Sequence, residues 1–372
     1  MARVLVFSTV SGTGGIQRNA RELTRLLLDS GCQVLILSSV LGVTSAGDPT
    51  PDENDELLKG GAQIFFMDAK GSLLGRIKEL TRLRRVAVAF RPDILWGAGT
   101  SWHLGLLAMM LGPQVRRIFH EVMSGELDGA RDARWLVRWF FDEVVGQSPR
   151  VAAAFASSSG WKRKLSAIPA YPEPLEITAR LPAVSRRSIP VGSARAAFFS
   201  RLVEGKQALW LVRQWDELKT LVGTLSIHGE GPERPAIETL IAEKDIGEQV
   251  KCFGRYPDGQ AYADLLSSYD LILLPTIFPE GAPLVLLEAM ACGVPFIANG
   301  MGGIPDYAEG NPDCCVSAKQ SEFIVGVRTF VNRLATGEID QGRLQRHYLR
   351  RYSRAALDEE WAQYLGLENT KQ

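Results

Sequence analysis

The segment MARVLVFSTVSGTGGIQRNARELTRLLLDSGCQVLILSS, residues 1–39, decides the fold. RVLVFS at 3–8 is an apolar run of strand length, and TVSGTGG at 9–15 is a loop rich in small residues. A helix over roughly Ile16 to Ser30 follows, ended by Gly31, and QVLILSS at 33–39 is a second strand. Strand, loop, helix and strand in this order form the repeat that builds parallel sheets with helical faces.

The repeat continues through AQIFFMD at 62–68, a basic helix at 72–90, DILWGAG at 93–99, a helix near 102–111, VRRIFHE at 115–121 and EVVGQS at 143–148. Residues 169–192 contain five prolines and no periodicity, which marks a domain boundary. The grammar then restarts with ARAAFFSRL at 194–202, a helix at 206–220 and GTLSIHG at 223–229. A helix at 233–245, QVKCFG at 249–254, a helix near 260–268 and DLILLPT at 270–276 come next. PFIANG at 295–300 and helices at about 319–335 and 340–364 complete the chain. The expected architecture is α/β: two doubly wound Rossmann-like domains facing each other across a cleft, 1–180 and 193–340. Residues 341–372 would form a C-terminal helix returning to the first domain. Ligands in such domains sit beyond the carboxyl ends of the strands.

Forty-two basic and forty-two acidic side chains cancel, which removes the electrostatic basis for nucleic-acid binding. The halves differ: residues 1–195 hold 25 Lys and Arg against 18 Asp and Glu, and residues 196–372 hold 17 against 24. Five cysteines without metal-ligand spacing read as reduced thiols of a cytoplasmic protein. The start lacks the length of a signal peptide, and the most apolar stretch, 94–112, carries polar residues and reads as strand, loop and helix.

Four constellations carry chemistry. In SGTGGIQRNA at 11–20, Gly12, Gly14 and Gly15 at a strand-to-helix turn let backbone N–H groups approach an anion. Gln17 stands where a dinucleotide fingerprint requires its third glycine, and no P-loop lysine is present. In SRLVEGKQ at 200–207, Arg201 ends a strand and Lys206 precedes a helix, so two cations can converge on a diphosphate; two solvated surface charges are the alternative. In EGAPLVLLEAMACGVP at 280–295, Leu284, Val285, Leu287, Met290 and Ala291 recur at helical spacing behind Pro283. The helix start offers N–H groups at Leu284 and Val285 to phosphate. Glu280 before the helix and Glu288 inside it suit polyol hydroxyls, which donate to carboxylates. A half-buried helix with one capping and one solvated acid is the plainer reading. His120-Glu121 ends a strand of the first half, and His120 is the histidine placed like a ligand-facing residue; His228 reads as a packed one.

These residues resemble the retaining glycosyltransferases of family 4, enzymes of the two-domain arrangement called GT-B. The resemblance is strongest from Arg201 to Asp306, through SRLVEGK, IHGEGPE, YADLLSSYDLILLPT and EGAPLVLLEAMACGVPFIANGMGGIPD. It implies that Glu280 contacts the donor hexose and Glu288 the nucleotide ribose. Arg201 and Lys206 would hold the diphosphate with the backbone of Gly14 and Gly15. His120 would bond a hydroxyl of the transferred sugar, with Glu121 on the acceptor side. Ala282-Pro283 replaces the usual Phe-Gly after Glu280-Gly281, and IPAYP at 168–172 lacks the Asn and Gly of the family's turn.

The implied reaction moves a sugar from a UDP-, GDP- or ADP-sugar to a saccharide or lipid-linked saccharide, in polysaccharide or glycolipid synthesis. No metal and no cofactor are expected, because no Asp-x-Asp pair stands in a suitable loop and two fixed cations take the ion's place. RIKELTRLRR at 76–85 has five basic residues and one acid, with Ile77, Leu80 and Leu83 between them. It reads either as a solvated face or as a helix resting on the anionic inner face of a membrane. Trp135 and Trp139, four apart, read as core in preference to a lid anchor. A sugar-nucleotide 2-epimerase and a non-catalytic sugar-nucleotide binder are the alternative functions. The epimerase needs additional acids around the sugar, and the binder is separated by a donor-hydrolysis assay.

Overall fold

The computed structural model of the protein describes residues 1–12, 14–39, 51–67, 73–278, 280–281 and 283–367. Thr13, Asp68, the first residue of the expected 72–90 helix, Ala282 and residues 368–372 lie outside the described residues. The chain divides into two compact units, Met1–Tyr171 with Arg354–Gln372, and Pro172–Ser353.

The first unit is built on β1 (Arg3–Phe7), β2 (Gln33–Ser39), β3 (Gln63–Met67), β4 (Ile94–Ala98), β5 (Arg116–Glu121), β6 (Glu143–Gly146) and β7 (Lys164–Ala167). They form one parallel sheet in the order β3-β2-β1-β4-β5-β6-β7. Alternate residues of β1 enter opposite cores. Val4 and Val6 pack with Leu23, Leu27 and Trp361, whereas Leu5 and Phe7 pack with Leu35, Leu37 and Phe119. Burial on both faces is why the central strands β1 and β4 are almost wholly apolar.

The second unit holds β8 (Arg195–Phe199), β9 (Thr224–His228), β10 (Val250–Phe253), β11 (Leu271–Leu274), β12 (Phe296–Asn299) and β13 (Cys315–Ser317). Its parallel sheet runs β10-β9-β8-β11-β12-β13 around one continuous core. In both units the order reverses beside the first strand, between β1 and β4 and between β8 and β11. Loops from those strand ends therefore diverge to either side of a crevice, the place where doubly wound sheets take ligands.

Three expectations need correction. The single helix over 340–364 is two, Gln341–Arg351 and Arg354–Leu365. Leu344 and Tyr348 fill the second unit's core, while Leu357, Trp361 and Leu365 fill the first's. The break falls at Tyr352, whose φ of −127° is not helical, and Ser353, where the chain passes from the second unit to the first. The helix over 206–220 is also broken, by Gln207 at φ 64° and again at Gln214. Trp139 is not core: it is 63% exposed, with the Arg138 guanidinium over its ring.

The helices Pro51–Lys59 and Pro149–Ser159 and the strands β7 and β13 were not expected from the sequence. Residues 94–112 form β4, a loop and the helix Trp102–Met110. Among the described residues no helix is long and apolar enough to cross a membrane. All five cysteines are free thiols.

Candidate functional site

In the second unit, the chain leaving β8 carries Arg201 and then a single 3-10 turn, Glu204–Lys206. The glycine-containing loop after β9 holds this segment by its backbone. Ser200 N–H donates to His228 O (3.2 Å), Leu202 N–H to Glu230 O (2.9 Å) and Glu233 N–H to Leu202 O (3.1 Å). Glycine is required for that approach: a Cβ on Gly229, whose φ is 142°, would lie 1.8 Å from Ser200 O. Arg201 is exposed, and its guanidinium forms no ion pair among the described residues.

The chain leaving β11 completes the other side. Ile277 and Phe278 both donate their N–H to Gly205 O, at 2.9 and 3.3 Å, so the two loops are tied together at the switch point. The Lys206 ammonium contacts Glu280 Oε1, and Thr276 Oγ1 lies 2.9 Å from the same oxygen. Asn299, at the end of β12, donates Nδ2 to Pro275 O (2.9 Å) and Thr276 O (3.2 Å) and so fixes the strand end. Gly303 N–H donates to Glu280 O at 3.1 Å. Gly302, at φ 53°, lies so close that a Cβ there would be 1.6 Å from Glu280 O.

The helix Leu284–Ala291 starts beyond Pro283, whose missing N–H costs nothing there. Leu284 and Val285 are its first two residues. Glu288 is buried one turn further on. Its Oε1 accepts from Glu173 N–H at 3.0 Å and its Oε2 from the Tyr262 hydroxyl at 2.8 Å. Glu173 in turn accepts from Gly259 N–H at 2.8 Å. Glu288 is thus oriented by its own unit and not solvated.

In the first unit, Gly14 precedes the helix Gly15–Asp29, and the Gln17 side chain lies against it. The buried Arg21 guanidinium donates Nη1 to Val10 O (2.7 Å) and Gly12 O (2.8 Å), pinning the glycine loop to its own helix. His120, at the end of β5, is fully enclosed. Its ring meets Trp96 and Trp361 edge to face, with centroids 5.6 and 5.1 Å away, and its Nδ1 lies 3.1 Å from Asn19 Nδ2. Burial drives its pKa from 6.5 down to about 3 and outweighs an opposing hydrogen bond to the Ile168 carbonyl, so the ring is neutral.

Glu121 differs from its expected acceptor-facing place. It is completely buried, accepting from Met123 N–H (2.8 Å) and from Arg134 Nη1 (3.0 Å), and Arg134 is also bound to Asp132. Desolvation raises the Glu121 pKa, with Arg134 opposing it. This buried triad braces the segment 122–134 and leaves no open carboxylate. Among the described residues, no three His, Cys, Asp or Glu side chains gather into a metal-binding group.

The structure therefore brings Arg201, Lys206, Glu280, Leu284, Val285 and Glu288 to the carboxyl edge of one sheet, and Gly14, Gly15, His120 and Glu121 to that of the other. Sequence reasoning missed Asn19, Thr276, Asn299, Tyr262 and Glu173. The signal for Asn19, Thr276, Asn299 and Tyr262 was a polar group near a strand end or on a buried helix face, and Glu173, in the proline-flanked loop before the helix Leu175–Thr178, gave none.

Comparison with known proteins agrees with this division. Residues 14–180 match the family model described as glycosyl transferase 4-like domain, and residues 193–332 match that of glycosyl transferases group 1. The chain is a GT-B-fold protein related to the family-4 glycosyltransferases. It is 30% identical over 249 residues, 61% of this chain and 63% of the relative, to the GDP-mannose-dependent alpha-(1-6)-phosphatidylinositol monomannoside mannosyltransferase of Mycolicibacterium smegmatis. It is 43% identical over 85 residues, 23% of this chain, to the N-acetyl-alpha-D-glucosaminyl L-malate synthase of Bacillus anthracis. That match spans 21% of the relative's own length, so about a fifth of it is covered. Among solved structures, a glycosyltransferase from Rickettsia africae superposes with TM-score 0.76 at 15% identity, covering 99% of both chains. Anabaena HepE, solved in complex with UDP, gives TM-score 0.73 at 16% identity over 98% of this chain and 99% of that one. Identities this low establish the shared fold.

Proposed function

We propose that the protein transfers a hexose-type sugar from a nucleoside diphosphate sugar to a saccharide or lipid-linked saccharide acceptor, with retention at the anomeric carbon. The observation that carries this reading is the convergence at the β8/β11 switch point: an exposed guanidinium, an ammonium touching a carboxylate, and a helix start. Arg201, Lys206 and the N–H groups of Leu284 and Val285 bind the donor diphosphate. Glu280 accepts from sugar hydroxyls, and Glu288, held in line by Tyr262 and Glu173 N–H, accepts from the ribose. The backbone of Gly14 and Gly15 assists at the diphosphate, and His120 bonds a sugar hydroxyl. Glu121 positions the segment after β5 through Arg134.

In the transfer, the bond between the anomeric carbon and the diphosphate oxygen breaks while the acceptor oxygen bonds to the same face. The acceptor proton passes to the departing phosphate oxygen. Negative charge grows on the diphosphate during this step, and fixed cations aimed there lower the barrier without reorganising. This reading requires no metal ion.

The relatives' names carry two donor bases, GDP in the mannosyltransferase and UDP in the HepE complex, so both belong in a screen. The outward face of the helix Leu73–Phe90 suits a lipid-linked acceptor at a membrane surface. Leu74 and Ile77 are 71% and 53% exposed among Arg76, Lys78, Arg84 and Arg85. The protein would then work at the cytoplasmic face of a membrane, in polysaccharide or glycolipid synthesis.

The test is a thermal-shift screen against UDP-, GDP- and ADP-sugars, since a ligand of the native state stabilises it by mass action. Turnover of the donor that binds, with NMR assignment of the product anomer, follows. Retained configuration, abolished in Glu280→Ala with nucleotide binding kept, is the expected result. An inverted product sinks the retaining mechanism, and binding without turnover makes the protein a sugar-nucleotide binder.

A further inference from the structure

Asn19 is a polar residue on the buried face of the helix Gly15–Asp29, only 1% exposed, and both ends of its amide are used. Oδ1 accepts from Tyr171 N–H at 3.1 Å, and Nδ2 lies 3.1 Å from His120 Nδ1. The first contact settles the orientation of the amide, because a backbone N–H can only donate. Rotating the amide would set its NH2 against that N–H. With Oδ1 placed, Nδ2 must donate to His120, and a ring nitrogen that accepts carries no hydrogen. The single hydrogen of a neutral imidazole is then on Nε2.

Tyr171 is itself anchored. Its hydroxyl donates to Asp358 Oδ1 at 2.9 Å, Arg354 Nε donates to Asp358 Oδ2 at 3.2 Å, and Arg354 Nη1 reaches Glu22 Oε2 at 2.7 Å. The His120 ring is meanwhile confined edge to face by Trp96 and Trp361. On the far side of the ring, Nε2 is buried and makes no hydrogen bond of ordinary geometry among the described residues. The Ile168 carbonyl acts on the ring from outside those limits and leaves a buried N–H poorly satisfied, which is costly, so such a group in a folded protein points to a role in binding or chemistry.

We propose that Asn19 is a positioning residue that locks His120 as its Nε2–H tautomer, so that His120 serves the transferred sugar as a hydrogen-bond donor and not as a base. This rests on the reading that His120 meets the sugar. A base on this ring would need a bare Nε2, which the Asn19 contact forbids. The acceptor proton is therefore left to the diphosphate oxygen.

Long-range 1H–15N correlation spectra of the full chain, labelled in histidine, read the tautomer directly. The His120 signals are those that vanish in His120→Gln. The expected spectrum shows a bare Nδ1 and a protonated Nε2. Asn19→Asp presents a carboxylate that only accepts and should move the hydrogen to Nδ1, while Asn19→Leu removes the preference. In Asn19→Asp, kcat for transfer should fall about tenfold or more with the donor KM little changed, since the lost contact is one used in the transition state. A protonated Nδ1 in the wild-type protein overturns the proposal, and that spectrum needs no variant to fold. A tautomer unmoved by both substitutions also overturns it, as does an unchanged kcat in Asn19→Asp. Absence of turnover by the wild-type protein sinks the transfer reading and with it the role of Nε2–H in catalysis, while the spectrum still decides the tautomer.

Discussion

The Lys206 ammonium and the Glu280 carboxylate are in contact across the switch point of the second sheet, and each side chain is only 12% exposed. Two groups assigned to different parts of one donor thus neutralise each other in the free protein. Removing either leaves a half-buried charge without its partner, which costs more than removing both. In chemical denaturation, Lys206→Ala and Glu280→Ala should each destabilise the protein. The double variant should be less destabilised than the sum of the two by on the order of 1–3 kcal/mol. Strict additivity would mean that the pair contributes nothing to the ground state.

Arg201 offers the opposite case. It is exposed and without an ion pair among the described residues, so the fold does not depend on its charge. Arg201→Ala should leave stability within about 0.5 kcal/mol of the wild type. Turnover at saturating donor should nevertheless fall about tenfold or more, roughly 1.4 kcal/mol of barrier, if the charge faces the departing diphosphate as proposed. Unchanged turnover at saturating donor would remove Arg201 from the mechanism.

Gly302 tests how Glu280 is held. A side chain at φ 53° is strained, and its Cβ would overlap Glu280 O. Gly302→Ala should therefore push the Glu280 backbone away from Gly303 N–H and raise the donor KM while nucleotide affinity holds. Calorimetric titration with the free nucleoside diphosphate separates the two effects. An equal loss of nucleotide affinity would place the damage at the diphosphate instead.

These positions show what a sequence can and cannot disclose. The strands were legible because parallel strands buried on both faces are apolar throughout, as β1 and β11 are. The helix Pro149–Ser159 was missed although Ser148 caps it, Pro149 opens it and Gly160 closes it at φ 65°. β7 and β13 are edge strands of four and three residues whose burial is partial, so no pattern marks them. Arg201, Lys206, Glu280 and Glu288 stood out by charge beside apolar runs. The partners of Glu288 lie 115 and 26 residues away in sequence, and Asn19 is 101 residues from His120. Only the folded sheet order brings them together.

The helix Leu73–Phe90 makes a separable prediction. Ile77→Glu with Arg84→Glu and Arg85→Glu alters side chains on its exposed face, away from Leu83, Ala87 and Phe90, which pack inward. Each basic side chain near an anionic surface contributes about 1 kcal/mol, so the two arginine reversals alone should weaken vesicle binding at least roughly 30-fold. Sedimentation with phosphatidylglycerol-containing vesicles reads this, with thermal stability as the control. Equal sedimentation of both proteins would leave the helix as a solvated face.

His120 gives the molecule a pH-dependent stability whose sign is fixed by its burial. Its pKa is about 3 in the folded protein and near 6.5 when exposed. Between those values the unfolded chain binds a proton that the native protein does not, so stability rises with pH across that window and is lost as pH falls through it. Each tenfold loss of proton affinity on folding corresponds to about 1.4 kcal/mol, which caps the effect of this ring near 5 kcal/mol. His228, stacked between Phe199 and Phe253 and held at about 4 by burial, acts in the same direction over a narrower range. Comparing wild type with His120→Gln cancels every other group. The variant's unfolding free energy should fall less steeply between pH 6.5 and pH 4, by about one proton's slope, 1.4 kcal/mol per pH unit. Parallel curves would mean that the ring is protonated in the native state, and the neutral His120 on which the tautomer argument stands would be gone.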